Sequence, residues 1–307
     1  MSKYLPEGEL WRTPENRLAL SSPERLAAAA AAGAVLEAFV PKCDKDYRLR
    51  PDLGVMPGVI AREEGALGVR EGLTREIALI TRVGKPVQFV VTGFSADEQG
   101  APVAVCSRRL AQERCRRDYL DRLVPGDVLP AVVTHMEGFG AFCDVGAGVP
   151  ALLPVDRISV SRIAHPADRL QVGQKLRTVL AGRDASGRLT LSLKELLGTW
   201  EENAAEIEVG ETLTGAVRSV EPYGVFVELR PNLAGLAEHT PGVEPGQACV
   251  VYVKSMNPER MKIKLNLISA GGPAPQPPLR YFFTGDHMDR FRYSPEPCKK
   301  VVETVFQ

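Results

Sequence analysis

One pattern of glycine and aromatic residues occurs twice in this chain, at a spacing the size of a small domain. Residues 125–145 read PGDVLPAVVTHMEGFGAFCDV and residues 209–229 read VGETLTGAVRSVEPYGVFVEL. Gly126 and Gly210, Gly140 and Gly224, and Phe142 and Phe226 all stand 84 positions apart. Solenoid units rarely exceed about 50 residues, so this period describes whole small domains. The centre of each copy is aromatic-Gly-x-Phe: Phe139-Gly140-Ala141-Phe142, then Tyr223-Gly224-Val225-Phe226. Alternating apolar neighbours mark a strand. A glycine kink or bulge within it brings residues three apart to one side. Two rings on an exposed face of a sheet are what base stacking requires.

The rest of each copy predicts further strands. In the second copy they fall at 128–134, 139–145, 151–153, 176–181 and 189–192; in the third, at 213–220, 224–229, 235–237, 248–254 and 262–267. Val172-Gly173-Gln174 aligns with Pro245-Gly246-Gln247 at an offset of 73, so the second copy carries eleven extra residues, centred on 158–166. Five short strands joined by turns predict a small Greek-key barrel, the OB-fold. Upstream, apolar stretches at 34–40, 55–60, 83–91 and 101–107 follow the same order without the aromatic centre, Tyr47 being the nearest ring. They predict a diverged first copy. The expected fold class is therefore mainly β, three tandem five-stranded OB-fold barrels with short connecting helices.

Local signals set the expected boundaries. Ser22 caps a helix whose first turn accepts Pro23 and which Gly33 ends. Residues 107–120 and 192–205 predict connecting helices, the second interrupted at Gly198. Residues 271–278, GGPAPQPP, predict a stiff linker. Beyond it Phe282, Phe283, Phe291, Tyr293 and Phe306 argue against disorder and for docking on a neighbouring domain or a partner. The expected domains are an arm and helix over 1–32, barrels over 33–120, 121–199 and 200–270, and a linker with an aromatic segment over 271–307.

Composition narrows the function. The 38 basic and 38 acidic residues balance, which disfavours a duplex binder dependent on many phosphate contacts. A single-strand binder that stacks bases is less affected. The six cysteines have no C-x-x-C spacing, and the four histidines lie in no nucleophile or metal motif. No cofactor, metal or enzymatic activity is expected. The absence of a long apolar run or a leader-like start predicts a cytoplasmic protein without a membrane partner.

The second and third copies resemble the S1 domain, an OB-fold RNA-binding module that recurs in ribosomal protein S1 and occurs singly in ribonucleases. The residues that carry the resemblance are the leading Pro-Gly-Asp and Val-Gly, the two aromatic centres, Gly235-Leu236, and Gly-Arg-Leu-Thr-Leu-Ser at 187–192. With three copies, the plan is similar to the short S1-like ribosomal proteins of Gram-positive bacteria. The resemblance implies that RNA crosses the second and third strands of each barrel. Bases would stack on Phe139 and Phe142, and on Tyr223 and Phe226, with basic side chains near the last strand at the phosphates. For Phe142 and Phe226 the alternation leaves core and surface both open, whereas Phe139 and Tyr223 adjoin the turn and are expected outside. The family's histidine after Gly-Leu is replaced by Pro154 and Glu238. Its downstream Asp and Arg remain as Asp184 and Arg188, while the third copy has Pro258 and Lys262. His135, before the turn, is a candidate phosphate donor or stacking ring.

Charge separates the copies. Arg157, Arg162, Arg169, Lys175, Arg177, Arg183 and Arg188 gather in the second copy, and an acidic run over 201–211 opens the third. This favours the second copy for RNA. Arg108, Arg109 and Arg116 are either RNA contacts or part of a salt-bridged helix. The expected function is binding of single-stranded RNA, in particular mRNA, in connection with the 30S ribosomal subunit, by weak modules on short linkers. A non-ribosomal regulator of RNA decay or transcription, and a protein-interaction scaffold, stay open as alternatives.

Overall fold

Three β-sheets in succession carry the fold, in a computed structural model that describes residues 4–97 and 99–307. The first sheet holds β1 (Val35–Val40), β2 (Lys42–Cys43), β3 (Leu49–Arg50), β4 (Gly58–Ile60), β5 (Lys85–Ala96) and β6 (Pro102–Ser107), in the order β1-β5-β6-β4-β3-β2. Its two edge strands are successive in the chain, parted only by Pro41, which has no N–H to give to a ladder. Together β1 and β2 act as one bent first strand, and the sheet curls as an incompletely closed barrel.

The second sheet is a closed barrel of β7 (Val128–Glu137), β8 (Gly140–Asp144), β9 (Pro150–Pro154), β10 (Lys175–Arg183) and β11 (Leu189–Ser192). The third closes from β12 (Thr212–Glu221), β13 (Gly224–Arg230), β14 (Leu233–Ala237), β15 (Gln247–Asn257) and β16 (Lys262–Pro273). One parallel pairing recurs at the same place in all three: β4 with β6, β9 with β11 and β14 with β16. The diverged first copy thus shares the topology of the other two. Period-two burial fills the barrels: Leu129, Ala131 and Val133 point inward from β7 while Pro130, Val132 and Thr134 do not. The third interior is closed by Val217, Val225, Val227, Val251, Ile263 and Leu265.

The chain forms two compact units. One comprises the residues up to Leu123 together with Asp144–Pro150; the other comprises Val124–Cys143 and Ala151–Gln307. Helices α1 (Pro14–Ala19), α2 (Pro23–Ala31), α3 (Ile77–Ile80) and α4 (Arg108–Asp118) belong to the first unit. Ser22 caps α2 as its sequence predicts, accepting from the N–H of Arg25 at 3.2 Å. On α4, Arg108 is buried in an ion pair with Glu7 at 2.7 Å, and Arg109 reaches Glu64 at 3.1 Å. Both are salt-bridge residues of a packed helix.

In the second unit the connection between the two closed barrels is helical and broken at Gly198, as its sequence predicts, and it is packed. A 3-10 turn over Lys194–Leu197, Gly198 at φ 85° and α5 (Trp200–Ala204) bury Leu196, Leu197 and Trp200. The extra residues of the second copy close the joint. Asn232 of the third barrel accepts from the N–H of Val160 at 2.9 Å and donates to the carbonyls of Lys194 and Gly198 at 2.8 and 2.9 Å. The expected linker also differs, because β16 continues to Pro273. Beyond it the Gln276 side chain is tied to Gln171 at 2.7 Å.

The aromatic C-terminal segment docks on its own unit. Arg177 donates to the carbonyls of Phe283, Thr284 and Gly285 at 2.9, 3.1 and 2.9 Å. Met288 and Phe306 pack with Val179 and Leu196, and Tyr293 is buried beside the third core. Burial pushes the Tyr293 hydroxyl well above its ordinary pKa. The segment lies along the start of β7, where the N–H of Val128 donates to Asp286 O at 2.8 Å.

Candidate nucleic-acid interface

Both aromatic centres fold into the same device. Phe139 and Tyr223 sit on the turn before the second strand, 58% and 68% exposed. Phe142 and Phe226, three residues later, are half-buried and face outward, since their neighbours Ala141, Cys143, Val225 and Val227 take the interior. That answers the question left open by the alternation. The paired rings meet edge to face, with centroids 6.0 Å apart for Phe139–Phe142 and 6.2 Å for Tyr223–Phe226, both at 89°.

Glycine between the rings is a packing requirement. A Cβ at Gly140 would come within 2.6 Å of the Leu153 carbonyl oxygen, and one at Gly224 would strike that of Ala237. Any side chain there would push the second strand off the third and separate the rings.

His135 and Thr134 extend the second platform. The His135 ring lies 6.2 Å from Phe142 at 20° and its Nε2 is 2.7 Å from the Glu137 carboxylate. Thr134 Oγ1 donates to Phe142 O at 3.1 Å. Asp184 and Arg188 meet in the β10–β11 turn, with Arg188 Nε 2.6 Å from Asp184 and its side chain 81% exposed. Donors from Arg188 hold the Asp184 carboxyl below the usual carboxylate range.

Strand register identifies a cation that the residue pattern alone does not reveal. Phe226 pairs with Ser219 on one side and Leu236 on the other; Leu236 pairs with Lys264. Directly paired residues share a face, so Lys264, exposed on β16, lies in the ring's own cross-strand row. Lys262 is exposed two residues earlier on the same face. The counterpart of Lys264 in the second barrel is Thr190, paired with Leu152. Only the register of a non-local parallel pair carries this signal.

Two of the basic residues gathered in the second copy turn inward. Arg169 is buried in an ion pair with Glu228, and Arg177 is committed to carbonyls of the C-terminal segment. Arg162 and Arg188 remain exposed. Glu238, in the place of the family's histidine, is exposed 3.9 Å from Lys254. No cluster of His, Cys, Asp and Glu suited to a metal occurs among the described residues. No helix there is long and apolar enough to cross a membrane.

Parts of the chain are similar to known proteins. Residues 123–194 match the S1 RNA binding domain family. The small ribosomal subunit protein bS1 of Leuconostoc lactis is 37% identical over 135 residues, 43% of this chain and 31% of that protein. The bS1 homolog of Bacillus subtilis (strain 168) is 30% identical over 201 residues, 60% of this chain and 52% of its own. The chain thus spans about a third to a half of the length of these relatives. A multidomain protein with nucleic acid binding domains from Streptococcus pneumoniae aligns over 77% of the chain and 74% of its own, at 14% identity and a TM-score of 0.25. Residues 123–194 thus match the S1 RNA binding domain family, and the chain resembles bacterial bS1 proteins.

Proposed function

We propose, from the premise that residues 123–194 form an S1 RNA-binding domain, that the chain binds single-stranded RNA and does so in connection with the small ribosomal subunit. The observation that carries this reading is the recurrence of one exposed edge-to-face ring pair on two barrels that share a unit. Bases stack on Phe139 and Phe142 and on Tyr223 and Phe226, each contributing about 1–3 kcal/mol without regard to base identity. Arg188, Lys262 and Lys264 meet phosphates, and His135 extends the second platform. Asp184 orients Arg188 through their ion pair.

The packed joint changes how the two platforms cooperate. Because the barrels are held together, a strand that reaches one platform meets the second without an ordering cost for the protein. Lys264 gives the third barrel a cation in the cross-strand row of Phe226, one strand beyond Leu236, which supports a share in binding for both barrels.

Translation is the setting that the bS1 relatives suggest, with mRNA as the RNA and the cytoplasm as the place. Co-sedimentation with purified 30S subunits tests it. Recovery of the chain with the subunits is expected; free migration alongside intact RNA binding favours a non-ribosomal regulator. A chain that binds no single-stranded RNA is a scaffold.

A further inference from the structure

The first module has no aromatic-Gly-x-Phe, yet its registers show which residues stand in those places. On the third barrel Val225 pairs with Ala237, and Ala237 with Leu265. In the first module Leu49 pairs with Ile60, and Ile60 with Cys106. Buried Leu49 therefore stands where buried Val225 does. Counting along the chain puts Arg50 in the place of Phe226 and Tyr47 in the place of Tyr223.

Tyr47 is held at φ 59°, in the left-handed region that side chains other than Gly, Asn and Asp seldom adopt. Asp44 builds the turn, its Oδ1 accepting from the N–H groups of Asp46 and Arg48 at 3.1 and 3.0 Å. Three other turns share this pattern. Asp97 accepts from Gln99 and Ala101 at 2.9 and 2.8 Å, Asp144 from Gly146 and Gly148 at 2.8 and 3.0 Å, and Asp184 from Ser186 and Arg188 at 2.8 and 2.9 Å. Their left-handed positions hold small residues: Gly100 at φ 84°, Ala147 at φ 50° and Gly187 at φ 73°. The β2–β3 turn keeps a tyrosine in a slot that its counterparts give to glycine or alanine. Strain retained at one residue directs attention to a function there.

The ring opens on a cleft of about 540 Å³ between this turn and the segment around α3, lined also by Lys42, Lys45, Ile80 and Val83. Ile80 and Val83 are 46% and 39% exposed, an apolar floor left open. Arg48 and Arg50 both hold Asp44, at 2.9 and 3.0 Å, and with the turn's N–H donors they keep its carboxyl down at about 2. Lys42 and Lys45 enter no ion pair among the described residues. Residues 42–50 hold four basic and two acidic side chains, so the rim is net positive.

We propose that this cleft is a third single-strand site. Tyr47 stacks one nucleobase over the Ile80–Val83 floor while Lys42 and Lys45 meet the flanking phosphates. The site rests on the RNA-binding reading above, but it uses one ring and a cleft in place of a ring pair.

The test uses the full chain and a pyrimidine-rich single-stranded RNA carrying photoreactive 4-thiouridine, with cross-links mapped by mass spectrometry. Cross-links are expected in the peptide holding Tyr47 as well as in those holding Phe139 and Tyr223. Tyr47→Gly relieves the left-handed strain, so it melts at the same or a higher temperature while binding roughly five- to a hundredfold more weakly. Lys42→Ala with Lys45→Ala weakens binding in the same direction without touching the turn. Cross-links at Phe139 and Tyr223 only, with Tyr47→Gly binding as tightly as the parent chain, overturn this site and leave the two platforms standing. Absence of any RNA binding by the parent chain overturns the underlying reading and this site with it.

Discussion

Arg169 and Glu228 come from different barrels and form a two-pronged ion pair sealed from solvent. Arg169 Nη2 lies 2.7 Å from Glu228 Oε2, its Nη1 meets the other carboxylate oxygen, and the side chains are 0% and 2% exposed. Arg218 reaches the same carboxylate at 2.9 Å, and Ser159 accepts from Arg169 at 3.1 Å. One buried anion therefore holds two cations.

The order of cost on breaking this triad follows from which charges lose their partner. Glu228→Ala strands Arg169 in the buried joint and leaves Arg218 only Asp168, 3.8 Å away, and is expected to cost about 3–5 kcal/mol. Arg169→Ala costs less, because Arg218 still neutralises Glu228. Arg188→Ala, in an exposed pair, leaves stability unchanged. Urea unfolding of the three variants, followed by circular dichroism, measures the order; equal midpoints for Glu228→Ala and Arg188→Ala would refute the account of the joint.

Lys264 is expected to act through charge alone. Removing one phosphate contact from a single strand lowers the slope of log affinity against log salt by about 0.7. Lys264→Ala should show that change with the melting temperature unaltered, and an unchanged slope would remove Lys264 from the interface.

The docked C-terminal segment has a pH dependence. Asp127 at 2.7 Å, aided by Asp289 at 3.1 Å, raises the His287 pKa above its ordinary 6.5. Charged His287 thus favours the docked state. The contribution is full below the unfolded value near 6.5 and is lost as pH rises through the raised folded value. Hydrogen exchange of residues 281–307 should quicken on passing above neutral pH, beyond the intrinsic base-catalysed increase. H287N should abolish that extra quickening; an identical profile in the variant would count against it.

What could be read from the sequence depended on how local each signal was. The exposure of Phe139 and Tyr223 followed from their position at a turn, and the barrel strands from period-two alternation. Arg169 and Arg177 were misplaced because composition shows a cluster of cations without showing that Glu228 and the C-terminal carbonyls consume two of them. Lys264 was missed because its alignment with Phe226 passes through Leu236 in a parallel pairing between distant strands. Tyr47 and Arg50 were hidden for a related reason. Arg48 replaces the glycine that marks the pattern, and only the pairing of Leu49 with Ile60 restores the correspondence.

The most direct measurement is a binding titration of the full chain with a short pyrimidine-rich RNA at two salt concentrations, comparing the parent chain with Phe139→Ala plus Tyr223→Ala. Both rings are exposed, so the variant should keep its fold and melting temperature. A loss of roughly tenfold or more in affinity is expected at both salt concentrations, because stacking is not screened as charge is. Unchanged affinity in the folded variant would contradict it.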